Sequence, residues 1–167
     1  MIKGETMRYV GIDLSTKTGL VIILGSEIIV ETEIKPNYRE DPSRMYDIVT
    51  QVINQLKKDD VICIEGFSYG SKGKGIDFQF GIGHLLRVEL FKRDIPYKIV
   101  TPSQLKKFAT GKGNTSKENM ILPIFKRWGY EHESDNVRDA FILAKIAEAT
   151  QGNVELTKYQ KEIANEV

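Results

Sequence analysis

The sequence predicts an α/β fold: a mixed five-stranded sheet, three antiparallel strands followed by parallel ones, with helices on both faces. Three observations carry this. Residues 7–34 hold three short apolar runs separated by turn residues, without helical spacing. From residue 43 onward, helical apolar stripes alternate with short strands, which is how parallel pairs are connected. The run at 59–67 is almost wholly apolar until it ends in a carboxylate, as expected of a strand covered on both faces.

The elements follow in order. "MRYVGIDLS" (7–15) carries an apolar run from Tyr9 to Ile12 that ends in Asp13 and two small residues. "TGLVIIL" (18–24) and "IIVETEI" (28–34) are the second and third strands, joined by a tight turn at Gly25 and Ser26. After a loop with two prolines, Met45, Ile48, Val49, Val52, Ile53 and Leu56 form one stripe of a helix over 43–58. The strand 59–67 ends at Glu65, and "SYGSKGKG" (68–75) is a glycine-lysine loop. Residues 76–94 read as a helix interrupted by Gly81 and Gly83, small residues that suit close approach of another helix, such as one from a second subunit. "PYKIVT" (96–101) is the last strand. Thr101 and Pro102 then start a helix. "SKENMILPIFKRWG" is helical but expected to break near Pro123. The stretch 135–150 is a clear helix. Residues 1–152 read as one domain and 153–167 as a C-terminal tail or short helix.

At 167 residues, 41% hydrophobic and 28% charged, the chain has an ordinary globular balance. Its one cysteine, Cys63, has no internal disulfide partner. No apolar run approaches the roughly 18 residues that span a bilayer. No membrane association is expected, and the setting expected is cytoplasmic. Charge is unevenly spread. Residues 1–65 carry 8 basic and 11 acidic side chains, 66–127 carry 12 and 4, and 128–167 carry 4 and 8. A basic middle between acidic ends suits a polyanion-binding surface beside an acidic site.

Three acidic points stand out: Asp13 and Glu65 at strand ends, and Asp135 with Asp139 in the first turns of the last long helix. Each has an ordinary reading alone, as a turn residue, a strand end or a helix cap. Together they read otherwise. Ligands of open α/β sheets bind off strand ends. Converging carboxylates repel one another unless cations sit among them. Hard oxygen ligands select Mg²⁺ or Mn²⁺. Two such ions roughly 3.5–4 Å apart serve phosphodiester hydrolysis.

"GIDLSTKTG" at the first strand, "ICIEGF" at the fourth, "QLKKFATGKGNTSK" and "DNVRDAFILAKIA" at the last helix stand in the order of a known family. In these four pieces, across about residues 7–150, the chain resembles the RuvC-type Holliday junction resolvases, and in its shortness their phage-type members. The resemblance implies a ribonuclease H-like fold and a metal-dependent crossover junction endodeoxyribonuclease acting as a homodimer. It implies Asp13, Glu65 and Asp139 as metal ligands for two Mg²⁺ ions, with Mn²⁺ substituting. The family's fourth ligand lies three residues before the last aspartate, where this chain has Asn136, and Asp135 sits one residue earlier; these two compete for that place. The family's basic pair falls on Lys106 and Lys117. Its aromatic residues near the junction centre fall on Phe67 and Tyr69. Lys72, Lys74, Lys107 and Lys112 lie in or beside loops and suit phosphate contacts. The implied partner is branched DNA, namely four-way junctions with forks and flaps, in a bacterial or phage-infected cell. The implied dimer contact is the helix around Gly81 and Gly83. Two other functions compete. A non-catalytic branched-DNA binder is suggested by Asn136. An actin-like ATPase or kinase domain is suggested by "GIDLSTKTG", but the chain is too short for the second half such enzymes need.

Overall fold

The structure is a computed structural model and describes residues 7–167. Five strands form its sheet: β1 (Arg8–Asp13), β2 (Thr18–Leu24), β3 (Glu27–Ile34), β4 (Val61–Glu65) and β5 (Lys98–Val100). Six helices surround it: α1 (Ser43–Ile53), α2 (Ile76–Lys92), α3 (Pro102–Thr110), α4 (Glu118–Trp128), α5 (Asp135–Ala149) and α6 (Lys158–Glu166). The strand order is β3-β2-β1-β4-β5. The first three strands pair antiparallel, and β1-β4 and β4-β5 pair parallel. This is the mixed five-stranded sheet that the strand pattern predicted.

Side-chain alternation sorts the sheet into two cores. Val10, Ile12, Leu20, Ile22, Ile62 and Ile64 pack against α1 and α2. Tyr9, Val21, Ile23, Cys63 and Val100 pack on the other face against α3, α4, α5 and α6. The same parity decides where the chemistry lies. Asp13 follows Tyr9 and Gly11 by steps of two, and Glu65 follows Cys63. Both carboxylates therefore belong to the α5 side, at the ends of two adjacent parallel strands.

Several local expectations change. Helix α4 runs through Pro123 without a break. The carbonyl that Pro123 leaves without a donor belongs to Asn119, an exposed residue in the first turn, where solvent can replace the missing bond. The glycines of α2 admit close neighbours from this chain. A methyl on Gly83 would collide with the Phe67 ring, and one on Gly81 with the Met45 side chain of α1. Both close approaches are made within the chain.

The final segment folds back on the domain. Thr157 and Gln160 form a capping box that starts α6. Gln160 is fully buried and donates to the Phe108 carbonyl of α3 at 3.1 Å. Ile163 lies 1% exposed in the core beneath α3 and α5. Ile163→Ala is expected to cost about 2–4 kcal/mol, measured by urea unfolding of the whole protein; an unchanged midpoint would show that α6 contributes nothing to the fold.

Candidate metal centre

The site is built by close packing of α5 on the sheet. Gly11 of β1 and Gly19 of β2 have no Cβ. A methyl on Gly11 would overlap the Ala140 carbonyl, and one on Gly19 would overlap the backbone of Asn136. Ala140, Ala144 and Ala147 offer an equally flat surface from the helix side, all fully buried. The N-terminus of α5 is tied down twice. Ser134 caps it by accepting from the Val137 N–H at 3.4 Å, and donates to Glu33 of β3 at 2.6 Å. Held in this way, α5 brings Asp139 down to the ends of β1 and β4.

Asp13, Glu65 and Asp139 each place a carboxylate oxygen within 4.8 Å of the other two. Asp13 and Asp139 are buried, at 9% and 6% exposure, and Glu65 is partly so. Burial first, then the charges of Glu65 and Asp139, pushes the Asp13 carboxyl well above the usual carboxylate range. Burial and then Asp139 push Glu65 up to about 7. Asp139 is raised by burial against the opposing pull of Lys117. Three buried carboxylates brought within reach of one another are a donor set that fits a divalent cation. All the donors are hard oxygens, which favours Mg²⁺ or Mn²⁺ over softer metals.

Lys117 stands over this cluster. Its Nζ donates to Asp135 at 2.7 Å and lies 3.2 Å from Asp139. Burial works to lower its pKa, but the bond to Asp135 and the charges of Asp139 and Asp13 outweigh that and hold it above its ordinary value. Lys106, on α3, is close enough for its charge to pull the Glu65 carboxyl down. Of the two lysines marked in the sequence, Lys117 contacts the cluster directly, and the charge of Lys106 is felt at Glu65.

Asp135 and Asn136 both lie beside the triad and outside it. Asp135 is half-exposed and held below the usual carboxylate range by the Lys117 hydrogen bond. Asn136 spends its amide N–H on the Lys17 carbonyl at 2.9 Å, which anchors the turn between β1 and β2.

The remaining predicted residues divide by environment. Tyr69 is 83% exposed. Phe67 is half-buried, stacked near Phe80 at 4.6 Å and near His84 at 5.0 Å between ring centroids. Lys72 and Lys74 are exposed in the loop before α2 and line an open cleft with Ser15 and Thr16. Lys112 is exposed just after α3. Lys107 pairs with Glu162 of α6 at 3.0 Å. Sequence reasoning missed Arg87, whose guanidinium lies 4.3 Å from the centre of the Phe67 ring. Its spacing from Phe80 and Gly83 on α2 was the only sequence sign, and it reads equally well as an exposed helix charge.

No family model matches the sequence, and no curated protein matches it either. Solved structures do. The RuvC structure of Thermus thermophilus is similar with a TM-score of 0.64 at 20% identity, covering 90% of this chain and 100% of that one. The T. thermophilus RuvC in complex with a Holliday junction substrate gives a TM-score of 0.64 at 17% identity, covering 90% of this chain and 99% of that one. At such identities the likeness establishes the fold: from end to end of the matched chains, this protein has the ribonuclease H-like fold of RuvC.

Proposed function

We propose that the protein is a metal-dependent, structure-selective DNA endonuclease that resolves Holliday junctions, and also cuts forks and flaps, by hydrolysing phosphodiester bonds near the branch point. The observation that supports this most is the meeting of Asp13, Glu65 and Asp139 from β1, β4 and α5 at strand ends of a RuvC fold. A relative in fold is described in complex with a Holliday junction substrate, which agrees with branched DNA as the partner.

Asp13, Glu65 and Asp139 would hold the cations, and Asp135, of the two candidates beside them, would add charge. When bound, Mg²⁺ or Mn²⁺, two per site, acidifies a water and offsets charge on the phosphate. Lys106 and Lys117 place positive charge where the transition state becomes more negative. Asp135 keeps Lys117 oriented while the scissile phosphate is absent. Lys72, Lys74 and Lys112 make phosphate contacts that carry no sequence information. Tyr69 stacks on a base opened at the branch. Lys107 is occupied by Glu162 and adds little to DNA binding.

A four-way junction has two symmetry-related strands to cut, which suits a two-fold dimer. The outer face of α2 is the surface for it, where Val88 is 51% exposed and Phe91 80%. The basic stretch 66–127 beside the cluster suits a DNA-acting protein, for which a cytoplasmic setting is proposed. No helix among the described residues is long and apolar enough to cross a membrane.

The test is cleavage of a synthetic four-way junction. Paired nicks near the crossover are expected in Mg²⁺, with none in EDTA. Tight branched-DNA binding without cleavage in either Mg²⁺ or Mn²⁺ would replace the nuclease with a non-catalytic binder.

A further inference from the structure

Helix α4 is apolar on two faces. Met120 and Ile124 are buried in the larger core, and Trp128 packs against it. On the outer side Ile121, Leu122 and Phe125 are 41%, 57% and 46% exposed. Phe125 follows Ile121 by four residues and Leu122 by three, so the three side chains lie together on one stripe. A single exposed apolar residue is ordinary. A surface helix normally turns a polar face to water, however, and a contiguous apolar stripe marks a contact surface. Opposite charges stand at its two ends. Glu118 lies in the first turn and Lys126 in the last, both exposed. Neither takes part in an ion pair among the described residues. None of the roles assigned above uses this face.

We propose that this face of α4 is a contact between two copies of this chain, packed antiparallel about a two-fold axis near Leu122. The inference goes beyond the nuclease reading and does not depend on it. The occupant follows from the charges. An antiparallel copy sets Glu118 of each chain against Lys126 of the other and brings the apolar residues together between them. A parallel copy would set like charge against like. Antiparallel helices also oppose their macrodipoles favourably. Leu122 is midway between Glu118 and Lys126, so it is the residue that meets its own counterpart. A nucleic acid fits the face poorly. Its phosphates gain nothing from aliphatic and aromatic side chains, and Glu118 repels them. One helix pair is a small contact, below the ~1,200 Å² that stable interfaces bury, and is weak between free chains. Between chains already joined through α2, or side by side on DNA, effective concentration is high and the same contact holds. It would join α2-paired dimers into a larger assembly.

The experiment uses the full chain with the α2 face disabled by Phe91→Asp, so that any remaining association belongs elsewhere. Sedimentation equilibrium at up to about millimolar protein should show monomers in balance with dimers. Adding Leu122→Asp should leave monomers only. Glu118→Lys alone and Lys126→Glu alone should each weaken the dimer by about tenfold or more, because like charges then meet. The two together should restore it to within about threefold. That rescue separates a charge-matched contact from indiscriminate adhesion of apolar side chains. In otherwise wild-type protein, Leu122→Cys should give a single cross-linked dimer with a short bismaleimide. Ser26→Cys, exposed at the turn between β2 and β3, should give none. Cys63 is buried, so the introduced thiol is the one that reacts. Monomers at every concentration would overturn the proposal, and so would single and double charge reversals that dimerise equally. Weaker binding of a four-way junction by Leu122→Asp, with the mass unchanged, would also overturn it and assign the face to DNA. Whether junctions are nicked does not bear on these masses, so the nuclease reading stands or falls separately.

Discussion

Glu65→Gln is expected to make the metal-free protein more stable at pH 8 while abolishing the proposed nuclease activity. The folded protein holds the Glu65 pKa near 7 against an ordinary 4.5. Between those two values the native state keeps a proton that the unfolded chain has lost, so stability falls as pH rises through this window. Above it the whole penalty is present. One pKa unit corresponds to about 1.4 kcal/mol, which sets the penalty at about 3 kcal/mol or less once solvent at the exposed edge of Glu65 is allowed for. Glutamine removes it. The variant should gain about 1–3 kcal/mol at pH 8 and nothing at pH 4, where the wild-type carboxyl is protonated in both states. Mg²⁺ should raise the melting temperature of the wild type, since it binds only the folded form, and should raise that of the variant much less. Junction nicking should fall by about a thousandfold or more, because a metal's charge at a phosphoryl centre is worth several kcal/mol. Unaltered stability at pH 8 with a full response to Mg²⁺ would remove Glu65 from the cluster.

Gly11→Ala is expected to be more damaging than any substitution among the charged residues. The added methyl overlaps the Ala140 carbonyl, which is helix backbone and cannot turn aside as a side chain would. Helix α5 must lift from β1 and β2, the strands on which it packs most closely. Ordinary overpacking costs about 1–3 kcal/mol. A backbone clash at the centre of the larger core should exceed that and take a large share of the ~5–15 kcal/mol that holds a domain together. Gly70→Ala is the matched control, with open space around its Cβ position, and should unfold at the wild-type midpoint. Chemical denaturation of the pair measures the difference. Where Gly11→Ala retains a fold, it should also lose the Mg²⁺-induced rise in melting temperature, because Asp139 moves with α5 and Asp13 stays with β1.

What the sequence disclosed and what it withheld follow from how far apart in the chain the interacting groups are. Strand alternation is local, so the five strands, their approximate ends and the two carboxylates at their tips could be read directly. The apolar spacing of 135–150 is local too, and it placed Asp139 on a helix. Pairings that depend on distant partners were hidden. Lys106 and Lys107 are neighbours in sequence, yet the charge of one is felt at Glu65 and the other is paired with Glu162 on α6, a helix that periodicity marked only weakly. Gly83 suggested a second subunit because nothing near it in the chain shows that Phe67 lies against it. The partners of Asp135 and Asn136, Lys117 and Lys17, were likewise out of reach of a local reading.

The order of synthesis gives the geometry of α5 one more consequence. Asp13 and Glu65 leave the ribosome early, on strands that can pair as soon as β4 is made. Asp139 arrives last of the three, on the helix that also closes the larger core. Until α5 exists, the nascent chain has neither a complete cation site nor a covered sheet, so whatever capacity it has to cut DNA cannot precede its own folding. The acidic cluster and the covered sheet are then completed in one event, and a chain stalled halfway through translation carries the acidic strand tips without their third member.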